Sequence, residues 1–332
     1  MSDPESGRAR RPASAQASAL RSNRRLAADL AERRERIAAR LFTAVLYGCC
    51  MLFLLVMGGL AVELLWGSRL SLAAFGPGFL WSTEWNPVRD RFGAAPFLYG
   101  TVVSSLIALL LAGSVGILAG VFLAEFAPRR LGAALGTMIE LLAAIPSIVY
   151  GLWGLFVLAP VVSGGIGPAL QAAFGFLPIF RGPIYGVNML TAALVLAVMI
   201  VPTITAITRD LIRATPMHYR EAALALGATR WESVAKVILP TVRRGVFGAC
   251  MLALGRALGE TIATTMVIGN RPVISASLLA PGYTVASVIA NEFTEATSAL
   301  YLSALIELGL ILLVTSLLVV GLGRLMLRLF VP

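Results

Sequence analysis

One histidine in 332 residues, His218, leaves no material for a histidine-based catalytic triad or a His-rich metal set. The three cysteines, Cys49, Cys50 and Cys250, all fall in apolar runs, where they suggest neither a disulfide framework nor a zinc ligand set. No G-x-x-x-x-G-K-[ST] segment is present, so the chain is not expected to bind or hydrolyse ATP, and no nucleophile-base pair of a membrane enzyme is visible. Charge is also scarce, at 13% of residues. With 58% hydrophobic residues and a mean hydropathy of +0.86, a chain of this length cannot hide its apolar surface in a soluble core.

What is present suits lipid. Runs long enough to cross about 30 Å of hydrocarbon lie near 41–66, 97–126, 131–160, 186–207, 246–268 and 299–322. The expected fold is an all-α polytopic membrane protein of six crossings, with both termini on one side. Of 27 Lys and Arg, 21 lie before residue 41, at Arg129 and Arg130, between Arg209 and Arg244, and at Arg324 and Arg328. Only Arg69, Arg89, Arg91, Arg181 and Arg271 fall on the opposite loops. The positive-inside rule makes the first face cytoplasmic. The net charge of +10 therefore reflects topology rather than nucleic-acid binding. Residues 1–40, rich in Arg, Ala and Ser, read as a mobile or loosely helical cytoplasmic tail. The first apolar run starts too late and is too long for a signal peptide, so it is expected to remain as an anchor of the membrane domain, 41–332.

The polar segment 209–245 carries its own helical signals. Thr215 and Pro216 suit the start of a helix, Gly227 its left-handed end, and Thr229-Arg230-Trp231-Glu232 the capping box of the next. Two short helices at the foot of a membrane bundle can lie in a groove of another protein. The order Glu221-Ala222-Ala223, Gly227, Val237-Ile238-Leu239-Pro240 resembles the cytoplasmic coupling loop of ABC importer permeases, with Val237 in place of the usual Ile. His218 reads as a polar surface position of that loop.

Charge within a span is costly, about 2.5–3.5 kcal/mol on insertion scales, and marks a candidate site. Arg256 lies ten residues into the fifth predicted span, near mid-membrane, with Glu260 one turn on. The pair reads either as a structural ion pair or as a pathway element in which a passing anion exchanges for the carboxylate. In the third span Pro146 breaks a helix, giving a kink or an anion site where Ser147, Tyr150 and free N–H groups converge. Glu140 is a candidate partner for Arg256, while Glu63, Glu125 and Glu307 read as interfacial or structural.

Longer motifs narrow the resemblance. Residues 140–156 (ELLAAIPSIVYGLWGLF), 254–270 (LGRALGETIATTMVIGN), 290–295 (ANEFTE) and 79–85 (FLWSTEW) resemble the PstC family of phosphate ABC transporter permeases from about residue 41 onward. The resemblance implies a type I importer permease of the bacterial inner membrane for inorganic phosphate. It implies as partners a homologous permease PstA, a PstB ATPase dimer that holds ATP and Mg, and the periplasmic phosphate-binding protein PstS. No cofactor or metal is expected in this chain itself. The family's intramembrane Arg and Glu fall on Arg256 and Glu260. The readings left open are the PstA-like partner permease, a permease for sulfate, molybdate or phosphonate, and a mainly regulatory phosphate-signalling component. Residues 79–85 favour PstC over PstA; Trp81 and Trp85 suit a binding-protein dock or interfacial anchors equally.

Overall fold

Lipid offers no partner for a free backbone N–H or C=O, so the apolar runs must satisfy their own, and they do so as helices. In the computed structural model the backbone is described for residues 13–330 and the side chains for residues 34–327. The described residues hold helices and a single isolated β-bridge. In chain order the helices are α1 (Ala13–Gly67), α2 (Arg69–Phe75), α3 (Ala95–Phe126), α4 (Arg129–Ala143), α5 (Ser147–Phe174) and α6 (Met189–Ala214). They continue with α7 (Met217–Ala225), α8 (Arg230–Leu258), α9 (Ile262–Val267), α10 (Val285–Glu292) and α11 (Ala299–Phe330). Among the described residues, six helices are long and apolar enough to cross a membrane, in α1, α3, α5, α6, α8 and α11.

The chain divides into two units between Glu63 and Leu64. In the first, helix is continuous from Ala13 through the expected tail boundary at residue 40, and Leu41, Phe42, Val45, Leu52 and Phe53 are all exposed. Residues 1–12 of the expected tail lie outside the described residues.

The second unit is built around α6, which contributes Ala192, Val195, Leu196, Met199, Ile200 and Ile204 to its core. Ala108, Ala112, Gly116 and Gly120 recur every fourth residue on α3 and face α6, where Gly116 meets Ile204 and Gly120 meets Thr208. Small residues at this spacing let two helices approach closely in lipid, where dispersion rather than water exclusion drives packing. Asn188 starts α6 by accepting the Thr191 N–H at 2.8 Å.

Two crossings differ from the expected ones. Pro146 cannot donate a hydrogen bond and disfavours helical geometry at Ile145. The run 131–160 is consequently cut into α4 and α5, and the crossing helix is α5, Ser147–Phe174. The run 246–268 is likewise cut after Leu258, and its crossing helix starts earlier, at Arg230. Proline leaves a second mark. Each of four π-turns, Phe122–Phe126, Gly154–Leu158, Val162–Ile166 and Val234–Ile238, ends two residues before a proline. Widening the turn relieves the clash of the proline ring with the preceding carbonyl, and at the last three the helix continues through it.

Candidate functional site

The polar segment after α6 folds as the spacing predicts, with one exception. Gly227 takes φ +85°, and the Gly227 and Ala228 N–H groups donate to the Leu224 and Ala223 carbonyls, closing α7 with a left-handed turn. Thr229 and Glu232 form the reciprocal capping box, Oγ1 accepting from the Glu232 N–H at 3.2 Å and the carboxylate accepting from the Thr229 N–H at 3.0 Å. The exception is Thr215, which does not cap α7. Pro216 holds the N-cap position, and the Thr215 hydroxyl turns back to the Leu211 carbonyl at 3.2 Å. Glu221 and Ala222 are exposed and Ala223 is buried. Leu239 and Pro240 directly follow the π-turn Val234–Ile238 within α8.

What anchors this segment is a residue the sequence reading counted only as a topological charge. Arg220 donates to Glu125 Oε1 through Nη2 at 2.6 Å and Nε at 2.9 Å, and to the Ile212 and Thr215 carbonyls at 2.7 Å each. One guanidinium thus ties α7 to the C-terminal end of α6 and to the π-turn that ends α3. The Arg220 and Glu125 side chains are each 15% exposed, so the pair is largely withdrawn from water.

Two arginines of α6 are also spoken for. Arg209 donates to Glu140 at 2.9 Å and to Asp210 at 2.9 Å, and Arg213 donates to the Leu123 carbonyl at 3.2 Å. Glu140 therefore pairs with Arg209 and not with Arg256. Gly136 on α4 makes the room, since a Cβ there would stand 2.5 Å from Arg209 Nη1.

Arg256 is differently placed. It sits in the last turn of α8, and the helix ends at Leu258, so Glu260 is not one helical turn further on as expected. Glu260 belongs to the next element, accepting the Ala263 N–H at 3.2 Å at the start of α9. Arg256 makes neither an ion pair nor a side-chain hydrogen bond among the described residues and is exposed on this chain. The Tyr150 hydroxyl donates to the Leu142 carbonyl at 2.7 Å and so bridges the Pro146 break. Ser147, half-buried, opens α5 directly after Pro146.

The two helix breaks lie at the same end of a parallel pair. A Cβ on Gly151 of α5 would meet Ala263 Cα of α9 at 3.1 Å, and one on Gly154 would meet Val267 Cγ1 at 3.0 Å. Both residues advance together, so α5 and α9 present their N-termini in the same direction. Free N–H groups and the positive helix ends collect there, and Glu260 already offers a carboxylate to one of them.

At the other end of the bundle the two tryptophans of residues 79–85 part company. Trp85 packs against Phe92 and Phe97 and donates its Nε1 to Glu292 Oε2 at 2.8 Å. Glu292 also accepts from Tyr301 at 2.5 Å and Tyr283 at 3.3 Å, and burial pushes the Tyr283 phenol above its usual range. Trp81 stays 81% exposed. Of the carboxylates read as interfacial or structural, Glu125 is paired as above, and Glu307 is buried within α11 with its Oε2 left without a hydrogen-bond partner among the described residues.

The family model of binding-protein-dependent transport system inner membrane components matches residues 116–329. The phosphate transport system permease protein PstC of Mesorhizobium japonicum is 46% identical over 313 residues, covering 93% of this chain and 94% of that one. The PstC of Xylella fastidiosa is 45% identical over 298 residues, covering 89% and 92%. Among solved structures, a chain of a bacterial alginate ABC transporter, crystallised with an alginate pentasaccharide-bound periplasmic protein, aligns with a TM-score of 0.59 at 16% identity, over 87% of this chain and 94% of that one. That likeness shows a shared fold, while the family model and the six apolar helices among the described residues make the chain a multi-pass protein of the inner membrane. From the matching model and the near full-length likeness, this chain belongs to the binding-protein-dependent transport system inner membrane components, and within them to the PstC permeases.

Proposed function

We propose that this chain is one half of the membrane pathway of an ATP-driven importer of inorganic phosphate. The likeness to PstC permeases over nearly the whole chain carries the substrate. The geometry agrees with it, since an arginine without a carboxylate partner stands beside two helix breaks. A phosphate anion that leaves water needs charged donors, and Arg256, Ser147 and the first N–H groups of α5 are of that kind. Glu260, capping α9, is a resident carboxylate for which a passing phosphate exchanges. Tyr150 and Glu140 act at one remove in this reading, Tyr150 by bridging the Pro146 break and Glu140 by holding Arg209.

The partners follow the same reading. A PstA-type permease supplies the second half, and a PstB-type ATPase dimer, holding ATP and Mg, receives α7 with Glu221, Ala222, Ala223 and Gly227. Leu239 and Pro240 fix the angle at which α8 leaves that contact. Both termini and α7 face the cytoplasm, as the basic residues direct, and a PstS-type binding protein docks at the opposite end, where Trp81 is exposed. ATP binding closes the dimer, α7 moves with it, and the crossings rock between inward- and outward-open states. Phosphate biases those states only by its different affinity for each.

The test is ATP-dependent uptake of radiolabelled phosphate into vesicles carrying the four components, with arsenate, sulfate and molybdate as competitors. Competition by phosphate and arsenate alone is the expected result; uptake of sulfate or molybdate would keep the architecture and overturn the substrate. Gly227→Pro is expected to abolish both uptake and stimulation of the ATPase, and unchanged values for both would remove α7 from the coupling path.

A further inference from the structure

Arg256 does not stand alone in its groove. Helices α8 and α11 run antiparallel, with Gly255 facing Val320 and Gly323 packed against Met251. Arg256 and Arg324 are the next residues along from Gly255 and Gly323. They therefore lie about one and a half helical turns, roughly 8 Å, apart along the helix axes. Both line a single open cavity of about 670 Å³ together with Thr203 of α6, Leu252, and the glycines Gly248 and Gly255 that leave it room. Like Arg256, Arg324 is exposed and makes neither an ion pair nor a side-chain hydrogen bond among the described residues.

Two unpaired guanidiniums that share a mostly apolar groove repel each other as like charges. The arrangement relaxes when an anion with several acceptor oxygens enters, because each planar guanidinium can present two N–H donors to it. A phosphate group has that chemistry, either as the free ion or as a lipid headgroup. Thr203 adds a hydroxyl. The order along the groove, Arg256 beside the helix breaks and Arg324 towards the C-terminal end of α11, suits an anion handed from the first to the second.

We propose that Arg324 is a second phosphate-binding position, which takes the anion after Arg256 on its way along the α8–α11 groove. The inference rests on the phosphate-import reading above, and it makes Arg324 a pathway residue rather than one of the charges that merely orient the last span.

The experiment compares the wild-type complex with complexes carrying R324Q, R324K and R328Q in vesicles made only of phosphatidylcholine, and again in vesicles containing phosphatidylglycerol. R328Q removes the same charge from the same terminal segment and so controls for topology. Losing one charged donor pair to the anion is expected to raise the KM for phosphate uptake by R324Q about tenfold or more. R324K is expected to fall between wild type and R324Q, and R328Q to match wild type. If wild-type vesicles take up no phosphate, the import reading itself fails. If they do, and R324Q transports with an unchanged KM, or R328Q is equally impaired, Arg324 is only a topological charge. A defect of R324Q confined to phosphatidylglycerol vesicles would assign the groove to a lipid headgroup and overturn the transport role.

Discussion

The arginines of this protein fall into two groups that obey opposite rules. Around the end of α6, Arg209, Arg213 and Arg220 are each consumed: by Glu140 and Asp210, by a carbonyl of α3, and by Glu125 with two carbonyls. Along the α8–α11 groove, Arg256 and Arg324 have no such partners among the described residues and face a cavity. A buried charge is tolerable only when paired and hydrogen-bonded, and in the first group Arg209 and Arg220 meet that condition within the chain. The second leaves its donors available to something that comes and goes. The same side chain thus serves as a rivet in one place and as a receptor in the other, and local pairing decides which.

That division can be broken most forcefully at Arg220. Removing one member of a largely buried pair leaves the other uncompensated, at a cost of about 3–5 kcal/mol. R220A and E125A should each lower the denaturation midpoint of the purified complex sharply and abolish uptake. R220K, which keeps the charge but loses the planar fork, should do so less. A normal midpoint in R220A would mean that α7 is held by other contacts.

Arg256 should behave in the opposite way. R256Q breaks no ion pair, so the midpoint should stay within about 0.5 kcal/mol of wild type. Phosphate uptake should nevertheless fall on the order of 10- to 100-fold, the worth of a charged hydrogen-bonding donor to the anion. A destabilised R256Q would put Arg256 among the rivets. A smaller effect belongs to Gly227: at φ +85° an alanine costs about 1–2 kcal/mol. G227A should accordingly weaken ATPase coupling partially, read as phosphate transported per ATP hydrolysed.

Local chemistry was legible in the sequence where it depends on neighbours in the chain. The Gly227 turn and the Thr229 capping box both follow from residues within a few positions of one another. Six apolar runs gave six crossings for the same reason. What escaped depends on where a helix stops or on what lies across from it. The third run hid the cut at Pro146 because apolar residues continue on both sides, and the fifth hid the cut after Leu258 because Glu260 reads equally as a helical neighbour and as a cap. Arg220 was counted as one cytoplasmic charge among many, since nothing nearby in sequence points to Glu125, 95 residues away. Glu140 was offered to Arg256 when Arg209 lay closer in the fold.

The capping box sets the lower limit of the comparison between paired and unpaired polar groups. Thr229 and Glu232 satisfy each other's backbone donors at the exposed start of α8, and Lys236 reaches the same carboxylate at 3.1 Å. Water can replace every one of these partners, so T229A should cost only about 1 kcal/mol, and T229S should cost less because it keeps the accepting hydroxyl. The loss should stay local, appearing as faster amide hydrogen exchange at residues 230–233 while the denaturation midpoint of the complex hardly moves. The contrast with R220A is one of solvent access: both variants remove hydrogen bonds from the same polar segment, but only at Arg220 does the partner left behind stay largely withdrawn from water. If T229A lowered the midpoint as far as R220A does, the segment would unfold as one cooperative unit, and pairing at Arg220 would no longer be what holds it to the bundle.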